Sequence, residues 1–236
     1  MVFGILIFGI ALFADSLIIS IYPVIHHMSN RQANDWLNNS TGAQFVYTLL
    51  FEGMLLGALY GFLKLYNQTF KVIGLKHPRW RDAMYGIIAV PLYYILYFVT
   101  VSVVSHFVPG LNVDQHQDIG FNDVHGVVAM LLTFISLVIL PPLAEEIMFR
   151  GFLYSSFKKA LPTALAVIFT SLIFASIHLL EGGSSGPLYI AAIDTFILSL
   201  VLIFLREKTG SLWASITLHG IKNGIAFVAL FAIHLH

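Results

Sequence analysis

The sequence predicts an all-α, polytopic membrane protein, a helical bundle of about seven to eight transmembrane helices. Three observations predict it. Hydrophobic residues make up 58% of the chain and charged residues only 10%. The mean hydropathy of +0.86 exceeds what one soluble core could hide. Apolar stretches recur at about 20 residues, the length an α-helix needs to cross roughly 30 Å of hydrocarbon. Basic residues fall in alternate loops, the pattern of a chain threaded back and forth through a bilayer.

The first apolar stretch, residues 3–25, lacks a basic leader, is too long for a cleaved signal and contains Asp15, so it is expected to stay as a helix. The second and third cover 43–66, which carries Glu52, and 83–108. Between them FKVIGLKHPRWRD, residues 70–82, mixes apolar and basic side chains and is expected to lie along the cytoplasmic surface. The fourth, 124–157, includes Pro141 and Pro142; the fifth, sixth and seventh cover 162–180, 188–206 with Asp194, and 211–233. Lys64, Lys71, Lys76, Arg79 and Arg81 occupy the second loop, Arg150, Lys158 and Lys159 the fourth, and Arg206 and Lys208 the sixth. The first loop has only Arg31, the third carries Asp114, Asp118 and Asp123, and the fifth Glu181 with GGSSGP. The expected orientation is therefore N terminus cytoplasmic and C terminus outside, and the absence of cysteine with the compact plan suits a bacterial or archaeal plasma membrane. With no cysteine, any nucleophile, base or metal ligand must come from Ser, His, Asp or Glu. Zero net charge argues against nucleic acid as a partner. No repeat or linker divides the chain, so residues 1–236 are expected to form one integral-membrane domain with a motif-bearing core at 124–233.

Charge inside the fourth stretch needs a reason, because an ionised side chain at the bilayer centre costs about 2.5–3.5 kcal/mol. In PPLAEEIMFRG, residues 141–151, Glu146 and Arg150 are four apart and on an α-helix would pair on one face. Glu145 would then point elsewhere, as the carboxylate left for other work. FASIH places His178 alone in the apolar fifth stretch, and HGIKN places His219 and Asn223 four apart in the seventh. At 1.5 Å per residue, Glu145 is roughly 20 Å above Lys158, His178 roughly 24 Å above Pro162, and His219 and Asn223 roughly 12 and 18 Å above Ser211. All reach one layer if the fourth helix runs on through the charges, kinked near the two prolines.

EEIMFR, FASIH and HGIKN fit EExxxR, FxxxH and HxxxN, and in this order the chain resembles the CAAX prenyl endopeptidase and bacteriocin-processing (CPBP) intramembrane proteases over about residues 124–233. The resemblance implies a helical membrane fold with an intramembrane cavity, and peptide bond hydrolysis. It assigns Glu145 and His178 to activating water, His219 and Asn223 to stabilising the oxyanion, and Glu146 with Arg150 to holding the glutamate helix. It implies a peptide or protein substrate, membrane-associated, as the partner beside the bilayer itself.

The residue types suit that chemistry, since amide hydrolysis needs a deprotonated water, donors for an oxyanion and a proton for the leaving amine. Glu145, His178 and His219 also form an alternative zinc ligand set. HExxH is absent, and Asn223, a poor zinc ligand, favours a metal-free glutamate mechanism. Asp15, Glu52 and Asp194 are expected to be structural or to line a water path, since no motif includes them. Two other functions use the same residues: a non-catalytic scaffold or bacteriocin-immunity protein, and a proton-coupled transporter with Asp15, Glu52, Glu145, His178, Asp194 and His219 as relay. Against the transporter, no broken-helix pair repeats in corresponding halves of the chain.

Overall fold

The computed structural model describes residues 2–115, 117, 119–179 and 186–232, and no strand occurs among them. The loop acids Asp118 and Glu181 lie outside the described residues. The helices are α1 (Val2–Ile25), α2 (Asn30–Asn39), α3 (Thr41–Leu65), α4 (Trp80–Phe107), α5 (Gly126–Phe134), α6 (Leu140–Glu145), α7 (Tyr154–Ala160), α8 (Thr163–Leu179), α9 (Tyr189–Thr209) and α10 (Trp213–Phe227). Among the described residues six helical runs are long and apolar enough to cross a membrane: Leu6–Ile25, Thr41–Leu65, Trp80–Phe107, Gly126–Ala160, Tyr189–Thr209 and Trp213–Phe231. The expected fifth span is α8, which at 17 residues is about 25 Å long, shorter than a typical hydrocarbon core. Outward-facing Ile88, Phe98 and Val127 are 64%, 62% and 77% exposed, an apolar surface that suits lipid rather than water. The chain is a polytopic all-α membrane protein.

The fourth span does run on through the charges, as 35 residues from Gly126 to Ala160. Its interruptions take the form of two π-helical segments, Ile135–Ile139 before the prolines and Glu146–Leu153 across the motif. Pro141 and Pro142 sit in the first turn of α6, where a missing N–H is tolerated. The α-helical register that predicted the Glu146 and Arg150 pairing is thus not the local geometry, because a π-segment bonds i to i+5.

The chain forms two compact units. The first takes residues 1–72, 119–148 and 220–236. In it α1 and α3 pack together, with Phe8 edge-on to Phe51 at 5.6 Å. The linking α2, absent from the sequence expectations, starts on a capping box between Ser29 and Gln32 and stacks Trp36 on Tyr22 at 4.6 Å. The stretch before α5 is tied to this layer: Asn122 N–H donates to the Asn38 carbonyl, and the Thr41 hydroxyl to the Asp123 carbonyl. Gly120, at φ +68, lies against the Gln44 side chain, where a Cβ would collide. On its other side α3 packs against α5, the first π-segment and α6.

The second unit takes residues 73–118 and 149–219. Here α9 packs against both α4 and α8, around a core that includes Ala89, Tyr93, Leu198, Leu202, Ala214 and Leu218. The Tyr93 hydroxyl donates to Asp194, so one of the unassigned intramembrane acids has a structural partner. The basic loops gather at one end of this unit. Arg206 donates to the Ile73 carbonyl at 3.2 Å, the Trp213 indole N–H to the Lys76 carbonyl at 2.6 Å, and Lys158 pairs with Glu207. Three segments that the sequence places on one side of a membrane are thereby held together.

Candidate active site

The motif residues divide between the two units. In the first, Glu145 closes α6 and is half-buried, and the following Glu146 is fully buried. Glu52 on α3, only 5% exposed, lies close enough to Glu145 for the two carboxyl groups to interact electrostatically. Sequence patterns gave no reason to join them, since they belong to different helices and no spacing links them. Asn223 on α10 is half-buried, and its side-chain amide donates to the Leu137 carbonyl at 2.9 Å. One of its two amide hydrogens is thus fixed by the backbone, which sets the plane of the group and the direction of the other.

In the second unit the remaining residues are organised by Phe174, fully buried on α8. The Arg150 guanidinium, itself 0% exposed, lies 4.1 Å from the Phe174 ring centroid, a cation–π contact in a desolvated setting. Phe149 meets the same ring edge-on at 5.0 Å, His178 at 4.7 Å and His219 at 6.2 Å. The first residue of FxxxH therefore has a physical task that spacing alone did not reveal: it sets both imidazoles and the arginine against one aromatic ring. His178 Nδ1 lies 2.9 Å from the Phe174 carbonyl. A carbonyl only accepts, so Nδ1 carries the hydrogen and the lone pair of the neutral ring is on Nε2. His219 is buried beside this cluster.

A cavity of about 460 Å³ opens in the second unit between α4, α8 and α9, walled by side chains such as Val104, Leu172, Ala175 and Phe196. Phe174 and His178 do not line it, because they lie on the adjoining face of α8. It is an apolar recess beside the histidine helix. Among the described residues, no group of three or more His, Cys, Asp or Glu side chains is arranged to hold a metal ion.

Residues 127–225 match the family model described as type II CAAX prenyl endopeptidase, Rce1-like. Over that segment the chain is similar to the type II CAAX prenyl endopeptidases. The matched segment starts inside α5, ends inside α10 and contains all three motifs. The family that the model describes is one of CAAX prenyl endopeptidases. No match was found among curated proteins or among solved structures.

Proposed function

We propose that this protein is an intramembrane protease of the CPBP type, which hydrolyses a peptide bond of a membrane-associated peptide or protein by a metal-free glutamate mechanism, with residues 124–233 as its catalytic core. Glu145 takes a proton from a water that His178 Nε2 orients. The water oxygen attacks the scissile carbonyl, and the charge that develops on the carbonyl oxygen is received by Asn223 and His219. The proton held by Glu145 passes to the amide nitrogen, the C–N bond breaks, and acid and amine products leave. Glu146 and Arg150 hold the glutamate segment. The mechanism requires Glu145 and His178 to reach one water and His219 and Asn223 to face one oxygen. We place the N terminus in the cytoplasm on the alternation of basic loops, and the protein in a plasma membrane on the absence of cysteine and the compact plan.

The observation that carries this reading is the fixed tautomer of His178, held by the Phe174 carbonyl. A neutral imidazole with its hydrogen on Nδ1 can only accept at Nε2, which is the role the mechanism gives it. The π-helical segment that begins at Glu146, directly after Glu145, supports it, since such turns concentrate at functional sites.

The test is a proteomic comparison of host membranes carrying wild-type protein or Glu145→Gln. A protease yields new peptide termini with the wild type alone. A scaffold or immunity protein yields the same termini, and the same phenotype, with both. Chelators are expected to leave cleavage unchanged; stoichiometric zinc with chelator-sensitive cleavage would overturn the metal-free step.

A further inference from the structure

Leu137 accepts a hydrogen bond from the Asn223 side chain at 2.9 Å although it lies inside a helical run. A helical carbonyl is ordinarily taken by its own backbone, so the question is why this one is available. Three backbone donors could reach it, at i+3, i+4 or i+5. The first is the Leu140 N–H, which is committed to the Ile135 carbonyl in the π-segment. The second and third are residues 141 and 142, and both are proline. Neither has an N–H. An α-helical continuation and a π-helical one are thus both denied to Leu137 by consecutive residues. A buried carbonyl without a donor is costly inside a membrane. On the neighbouring α10, Gly220 brings the backbone against the same turn: a Cβ there would stand 3.5 Å from the Val138 carbonyl.

We propose that Pro141 and Pro142 are positioning residues for Asn223: they free the Leu137 carbonyl from its own helix, so that it fixes one amide hydrogen of Asn223 and aims the other. This rests on the reading of Asn223 as an oxyanion donor. The prolines touch neither substrate nor water in this scheme and act through the carbonyl. Alanine at either position restores a backbone donor, which competes with the Asn223 amide.

The experiment crosses Pro141→Ala, Pro142→Ala and their combination with Asn223→Ala. The readout is kcat and KM on a quenched, prenylated CAAX peptide in proteoliposomes, with each variant taken as its monodisperse, cooperatively melting fraction. The combined proline variant is expected to lose about tenfold in kcat with KM unchanged, less than the 10²–10³ for removal of the donor itself. In the Asn223→Ala background the same change is expected to cost nothing further. A loss equal in both backgrounds, or no loss while Asn223→Ala alone is impaired, overturns the positioning role and leaves the oxyanion reading standing. Full activity of Asn223→Ala overturns both. A second readout needs no turnover: with asparagine ¹⁵N-labelled, the Asn223 side-chain amide should exchange with solvent about tenfold more slowly than that of exposed Asn30, and lose that protection in the combined proline variant. Equal exchange rates at Asn223 and Asn30 in the wild type would overturn the proposal even if no peptide were cleaved.

Discussion

Phe174 gathers more of the chemistry than any other side chain in the second unit, with Arg150 over its face and His178 and His219 at its edge. A desolvated cation–π contact is worth about 2 kcal/mol, so Phe174→Leu is expected to lower stability by about that amount and to reduce turnover as well. Phe174→Ala, which adds a cavity, should cost about 3–5 kcal/mol. Detergent melting with parallel kinetics checks both, and unchanged turnover in Phe174→Leu would leave Phe174 as packing alone. Glu52 calls for the opposite outcome. It is buried near a second carboxyl group, an arrangement that an apolar replacement relieves. Glu52→Leu is therefore expected to melt at the same or a higher temperature while turnover falls. A lower melting temperature with normal turnover would make it structural, as Asp194 is through Tyr93. Glu145, His178, His219 and Asn223 stand out in the sequence as motif positions because their spacing is local. The parts played by Phe174, Glu52 and the Leu137 carbonyl depend on contacts between separate helices, which no periodicity announces.

At the level of elements, the apolar stretches marked the membrane helices well, because in lipid each span must be both apolar and helical along its whole length. Expected 43–66 became Thr41–Leu65, and expected 188–206 became Tyr189–Thr209. The polar α2 was invisible to that signal, since its sequence NRQANDWLNN has little apolar character. Pro141 and Pro142 announced a disturbance in the fourth span but not its form: a π-segment before them and a second that begins at Glu146. Close helix approach was equally hidden. Gly86 on α4 meets α10 so tightly that a Cβ would stand 2.6 Å from the Ala214 carbonyl. Backbone cannot yield as a flexible side chain does, so Gly86→Ala is expected to cost about 1–3 kcal/mol. A melting temperature unchanged by Gly86→Ala would show that α4 shifts freely on its neighbour.

For the whole molecule, composition and apolar patterning were enough to establish a polytopic membrane chain, and three short motifs pointed to the family whose model matches residues 127–225. The remaining claim is that one of two adjacent glutamates does the chemistry and the other holds the helix. Glu145 is half-buried at the end of α6, whereas Glu146 is fully enclosed. Substituting the wholly enclosed residue should therefore disturb folding more. The most direct measurement compares Glu145→Gln and Glu146→Gln as purified proteins, scoring hydrolysis of a quenched peptide and detergent melting on the same samples. The account predicts that Glu145→Gln melts like the wild type and cleaves nothing, while Glu146→Gln melts lower and keeps measurable cleavage when folded. Wild-type cleavage by Glu145→Gln would contradict it.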